Sequence, residues 1–401
     1  MKRCFPALLL LVLNACSPGN NAAETSRAAG TFGYDLAFLL RHDSALAVLS
    51  SADSSARVIV SAKYQGKVFT STANGLNGSS FGWINYKALS EKPQPHFNAY
   101  GGENRLWLGP EGAQFSLFFK PGSRMDFANW QTPAAFDTEP WTVVSKTGES
   151  VALEKAMALT NYAGTRLNLR VDRAVNLLNR AVISEGLGTP LPDSVQVVGY
   201  QTRNTLTNTG PAAWTRQTGA PCLWVLDMLV PGNHTTILIP YQTTGTGPVA
   251  TTDYFGPIPP DRVRYQHGVL TFSADGNSRG KLGLTPQRAK GVAGSYDPDR
   301  HTLTITLFDV DKKGTYLNQA WKLVPDPFNG DAVNAYNDGP LPDGTQMGPF
   351  YELESVSPAA FLQPGQGLTH SHTVLHLMGN EAQLDGIAQK VLGTSLKGMR
   401  E

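Results

Sequence analysis

Apolar residues recur at every second position along much of this chain. Arg166-Leu167-Asn168-Leu169-Arg170-Val171 alternates without a break, and Leu303, Ile305 and Leu307 repeat the pattern. A period of two marks a strand with one buried face. It predicts strands over 45–49, 57–61, 67–72, 105–108, 141–145, 150–159, 165–178, 195–201, 223–230, 235–240, 269–273, 301–309, 349–355 and 368–378. Residues 115–119, apolar except Ser116, predict a strand buried on both faces. Leu384, Ile387, Ala388, Val391 and Leu392 follow a helical period and predict a helix over 381–392. A shorter helix fits 34–42, and 176–184 fits either a helix or a strand end. Residues 243–260 and 330–348 are rich in Gly, Pro and polar residues and read as long loops. No fixed repeat appears, and no shift in composition marks a boundary. The pattern predicts a single all-β domain over 32–401, a two-sheet sandwich of unusual size with a short C-terminal helix.

Composition agrees. The 401 residues include 40 Gly and 27 Pro, only 16% are charged and 41% are hydrophobic. That is too apolar for a disordered chain and suits many short strands joined by tight turns. Lys and Arg number 33 against 32 Asp and Glu. So balanced a charge gives no footprint for a nucleic-acid partner.

The N-terminus reads as a targeting segment. Lys2 and Arg3 precede an apolar run, residues 5–13, too short to span a bilayer permanently. The run ends Leu13-Asn14-Ala15-Cys16, which resembles the lipobox of bacterial lipoproteins. That resemblance implies a signal peptide over 1–15, acylation of Cys16, and attachment to the cell envelope. By the same resemblance, Ser17 after the cysteine, with no acidic run following, implies the outer membrane, facing the periplasm. Residues 16–31, small and polar, read as a flexible tether. Cys4 leaves with the signal, so Cys222 stands alone as a buried, inert thiol, and no disulfide framework is expected.

Three stretches offer chemistry. The first is 101–114, Gly-Gly-Glu-Asn-Arg-Leu-Trp-Leu-Gly-Pro-Glu-Gly-Ala-Gln. Alternation puts Arg105 and Trp107 on one face of a short strand, with Glu103 and Glu111 in its flanking turns. Indoles stack on sugar rings and charged groups bind hydroxyls, so this is a plausible polyol site; a surface hairpin with a chance ion pair gives the same pattern. The second is Tyr351-Glu352-Leu353-Glu354-Ser355. Glu352 and Glu354 share a face, about 6.5 Å apart by the strand rise. Carboxylates that close push their pKa values apart, which suits acid–base work, although a solvent-facing sheet edge would look the same. The third contains His370, His372 and His376. They share one strand face, but His376 lies about 13 Å beyond His372. One metal ion cannot join all three without a bend, and only His370 and His372 could share one directly; no metal is assigned, and contact with substrate, general-acid work and simple packing all fit better or as well. Gly78-Ser79-Ser80-Phe81-Gly82 matches a nucleophile-elbow pattern but lacks the apolar strand before it and the helix after it. Arg279 and Lys281, close together in a turn, offer cations to a ligand or to solvent.

Taken with Asn337-Asp338-Gly339-Pro340 and Leu362-Gln363-Pro364-Gly365, these stretches make the chain resemble the galactose mutarotase-like superfamily. The resemblance is closer to a group of bacterial lipoproteins within or near it. It implies a large antiparallel supersandwich with an open sugar cleft and no cofactor. In aldose epimerases a glutamate on a late strand takes the anomeric proton and a histidine protonates the ring oxygen. By its Leu-Glu context Glu354 matches that glutamate. His96, His234 and His267 are the candidates for the acid, and His96 lies nearest the Gly-Gly-Glu stretch. Glu103, Arg105, Trp107, Glu111, Asp338, Glu352, His370 and His372 are then expected around the sugar. The resemblance leaves two roles open: an enzyme acting on a sugar, or a glycan-binding lipoprotein without chemistry. The oligomeric state stays open.

Overall fold

The computed structural model describes residues 28–399. The signal segment, Cys16 and the tether up to residue 27 lie outside the described residues. Every pair of neighbouring strands runs antiparallel.

Ten strands form the large sheet. Its middle is the run Thr302–Phe308, Gly367–Met378, Gln196–Asn208 and Arg166–Leu177. The clean alternation of 166–171 appears as alternating burial along Arg166–Leu177. A five-stranded sheet faces it, in the order Gly280–Leu284, Val333–Asn337, Tyr351–Val356, Cys222–Leu229 and Arg105–Gly109. The main core lies between them, where Leu106, Val225, Leu353 and Leu282 meet Val171, Leu206, Phe272 and Val374. Cys222 is fully buried here, and burial pushes its thiol up to about 12, so it is inert.

A three-stranded sheet, Ala47–Ser50, Arg57–Ser61 and Lys67–Thr72, packs with the helix Phe32–His42 around Phe38, Ile59 and Phe69. The C-terminal helix Glu381–Val391 begins with a capping box of Asn380 and Gln383. It lays Leu384, Ile387 and Ala388 on Leu303, Ile305, Leu375 and Leu377, on the outer side of the large sheet.

Two expectations change. Residues 115–119 form no strand; they are buried turns. The proposed loop 330–348 contains a strand, Val333–Asn337, paired on both sides by Gly280–Leu284 and Tyr351–Val356. Val333–Asn337 and its neighbour Gly280–Leu284, which the pattern also did not predict, are poor in β-branched residues. Gly283 is required by a close approach: a Cβ there would lie 2.1 Å from an oxygen of Asp331.

Candidate functional site

The strand register assigns the two faces of the five-stranded sheet. Arg105 pairs with Leu226, which pairs with Glu354, which pairs with Asn334. Trp107 pairs with Trp224, and Glu352 with Tyr336, which pairs with Lys281. These residues share the outer face. Their neighbours in sequence, Leu106, Val225, Leu353, Ala335 and Leu282, face the core. One alternation therefore supplies a greasy inner side and a charged outer side.

Above the outer face lies a cleft of about 440 Å³ with an adjoining lobe of about 130 Å³. Glu111, Lys281, Trp321 and Tyr336 line both parts. Arg105, Trp107, Trp224 and Glu352 line the lobe, and Tyr254, Asn334 and Asp338 the main cleft. Long loops bring Phe127, Phe255, Leu341 and Met347 to its rim.

The floor is built from paired charges. Arg105 Nη2 donates to Glu352 Oε1 at 2.8 Å. Lys281 Nζ at 3.0 Å and Trp224 Nε1 at 2.8 Å both donate to Glu354 Oε2. Arg105 Nε and Glu354 Oε1 have no partner among the described residues. The Arg105 guanidinium also sits 4.2 Å over the Trp107 ring, and Lys281 Nζ 4.9 Å over Trp224. Burial pushes the Glu352 carboxyl up to about 7; Arg105 opposes that rise and Glu354 adds to it. Burial likewise raises Glu111, against Lys281. Burial opposes the charge of Lys281, but Glu354, Glu111 and Glu352 outweigh it and hold the amine above the usual lysine range.

The wall nearest Asp338 is a hydrogen-bonded chain. Arg279 Nε donates to the Tyr336 hydroxyl at 3.2 Å, and that hydroxyl donates to Asp338 Oδ1 at 2.9 Å. Burial raises the Asp338 carboxyl. Behind Tyr254, Asp331 accepts the tyrosine hydroxyl at 2.6 Å, and burial pushes its own carboxyl up to about 6. Trp107, Trp130 and Trp224 are buried, while Trp321 stays partly exposed to the cleft.

The residues singled out in the sequence divide between two places. Arg105, Trp107, Glu111, Glu352 and Asp338 line the cleft. Glu354 lies just beneath the lining, under Lys281 and Trp224. His96 packs behind the wall, its ring 4.9 Å from Phe127 and 5.8 Å from Trp130, and does not line the cleft. Glu103, His370 and His372 sit on the other side of the sheet, in the core. There Ser355 Oγ lies 2.8 Å from both His370 Nε2 and His372 Nδ1. His372 Nε2 meets Asp227 Oδ2 at 2.7 Å, and Asn104 donates to Asp227 Oδ1 at 2.7 Å. His376 Nε2 meets Glu103 Oε1 at 3.1 Å and stacks on Phe81. Burial, with His372 adding to it, drives His370 down to about 3, a neutral ring. Ser355, His372 and Asp227 have the distances of a nucleophile triad. Ser355 is fully buried, so no substrate reaches it without opening the core. No cluster of His, Cys, Asp and Glu able to hold a metal ion occurs among the described residues.

The sequence reading did not reach Trp224, Tyr254, Trp321, Asn334 or Tyr336. One signal was present for two of them: Asn334 and Tyr336 alternate with Val333 and Ala335 inside the supposed loop.

A family model, described as a family of unknown function (DUF6786), matches residues 30–401. The chain belongs to this family. No curated protein matches it. Among solved structures, the DUF6786 chain is similar to the Slr1438 protein of Synechocystis sp. PCC 6803, with a TM-score of 0.50 at 13% identity, covering 83% of this chain and 96% of that one. A candidate aldose 1-epimerase of Escherichia coli K12 gives 0.48 at 14%, covering 82% and 98%. A galactose mutarotase-like protein of Lactobacillus casei ATCC 334 gives 0.48 at 12%, covering 82% and 99%. The large antiparallel sheets expected from the sequence are the ones found, and two of these solved structures bear names of aldose-epimerase or galactose mutarotase-like type. Identities this low speak to fold alone.

Proposed function

We propose that the cleft binds a carbohydrate and that Glu352 transfers a proton to or from it. The observation that carries this reading is the floor: Glu352 bonded to Arg105, with Glu111 and Lys281 beside them and Glu354 beneath, in an aromatic-walled cleft. Sugars need such a mixture, with ring faces for their C–H surfaces and charged groups for their hydroxyls. Trp321 offers the partly exposed indole, and Lys281, Glu111 and Asp338 offer the polar contacts. Below about pH 7 Glu352 carries a proton it can donate to a sugar oxygen. Arg105, 2.8 Å away, then stabilises the carboxylate left behind. Glu354 positions Lys281 and Trp224 from beneath.

A binding protein that does no chemistry is the second reading. It is favoured by the fact that both floor glutamates already have partners. NMR of a panel of free sugars and glycosides, recording anomer exchange and bond cleavage, separates the two. The enzyme reading expects turnover in the native protein and none with Glu352→Gln. Binding without turnover across the panel supports the second.

We also propose that Cys16 is acylated and tethers the domain to the outer membrane, facing the periplasm. This rests on residues 1–16 of the sequence. Labelled palmitate should enter the native protein and not the Cys16→Ala variant. Equal labelling of both would remove the anchor.

A further inference from the structure

Few large apolar side chains are left exposed among the described residues, and four of them meet at one place. Phe127 (61% exposed), Phe255 (40%), Leu341 (38%) and Met347 (44%) all line the cleft. They come from three separate loops, far apart in sequence. A monomer normally scatters such residues singly, and a cluster marks something to be covered. The polar floor beneath them has a different character. Arg105, Lys281, Glu111 and Glu352 lie at the bottom, Trp321 lies between, and the apolar ring lies at the mouth. Phe127, Phe255 and Met347 also border the lobe over Arg105 and Glu352, whereas Leu341 lines the main cleft alone. The rim fits a second, apolar group joined to the sugar and pointing outward.

We propose that the cleft takes a glycoside whose aglycone is apolar, alkyl or aryl, with the sugar on the floor and the aglycone against Phe127, Phe255, Leu341 and Met347. This inference rests on the carbohydrate reading above and adds the substrate class. Only the rim depends on the aglycone, so the two ideas fail in different ways.

The test is calorimetric titration of the full chain with matched pairs: methyl, phenyl and octyl glycosides of glucose, galactose, mannose and N-acetylglucosamine, the octyl compounds kept below their micelle threshold. Octanol is the control without a sugar. For the sugar that binds, the octyl or phenyl glycoside should bind at least tenfold more tightly than the methyl glycoside, since each buried CH₂ adds a further severalfold. An octyl preference indicates a chain, and a phenyl preference a ring. Leu341→Ser, at the rim residue that does not border the lobe over Arg105 and Glu352, should cut that advantage at least twofold while methyl-glycoside affinity changes less. Phe127→Ser, on a different loop, should also shrink it. Trp321→Ala should weaken methyl and octyl compounds alike.

Equal affinity for methyl and octyl glycosides overturns the proposal and leaves the sugar reading standing. So does a rim variant that weakens both in parallel, because the rim then contacts the sugar itself. Octanol binding as tightly as the octyl glycoside overturns both ideas, as does no binding by any member of the panel.

Discussion

The two faces of the five-stranded sheet use the same kinds of residue for opposite ends. On the core side, Asp227, Ser355, His370 and His372 are bonded to one another or to Asn104, and Glu103 meets His376. On the cleft side, Glu352, Glu354, Arg105 and Lys281 are paired, yet Arg105 Nε and Glu354 Oε1 are left over. The core network is sealed and holds two sheets in register. The cleft network borders open space through Arg105, Glu352 and Lys281 and keeps two buried polar atoms without a partner among the described residues. Titratable residues alone do not mark a site; titratable residues that line a cavity do.

Asp227→Ala gives the largest expected effect. It strips partners from His372 and Asn104 in a fully buried network, so urea unfolding should show a loss of about 3–5 kcal/mol. A loss under 1 kcal/mol would mean the core network does not hold the sheets, and the contrast between faces would collapse.

Glu352→Gln should do the converse. Proton transfer should fall at least 100-fold, the order expected for losing a general acid, while the circular dichroism spectrum is unchanged. Unchanged turnover would take Glu352 out of the mechanism. In the native protein, turnover that needs the protonated acid should fall as pH rises through about 7.

The smallest effect is on stability against pH. Glu352 holds its proton up to about 7 in the native state, whereas an unfolded glutamate releases it near 4.3. Between those values the native state binds more protons, so rising pH favours unfolding and stability from this group declines across the window. Glu352→Gln should flatten that part of the curve. An identical slope in the variant would assign the pH dependence to other groups.

Much of the fold was legible because burial on one side imposes alternation, as in Arg166–Leu177, and because turns carry Gly and Pro. The strand Val333–Asn337 was not, and the reason is its position. Its outer residues, Asn334 and Tyr336, line the cleft and are polar. Asn337 is buried but bonds to Gly276 N–H and the carbonyl of Ser278. The strand's alternation, Val333-Asn334-Ala335-Tyr336, spans only four residues and is flanked by Gly, Pro, Asn and Asp, which read as loop. The site was half legible for a related reason. Arg105, Trp107, Glu111 and Glu352 sit in short motifs, but the walls come from loops that only the folded chain brings together. The histidines misled because a buried imidazole bonded to serine or carboxylate looks, in sequence, like one poised for catalysis.

Whether the cleft holds sugar can be read most directly from its indoles. Of the seven tryptophans, Trp107, Trp130, Trp224 and Trp321 line the cleft, while Trp141 and Trp214 pack in the core away from it. In ¹H–¹⁵N spectra of the protein titrated with the sugar and glycoside panel, a sugar bound at the cleft should shift the Trp321 indole N–H most. Trp107, Trp130 and Trp224 should move less, and Trp141 and Trp214 should stay still. No shift with any member of the panel, or shifts confined to Trp141 and Trp214, would contradict the assignment of this cleft.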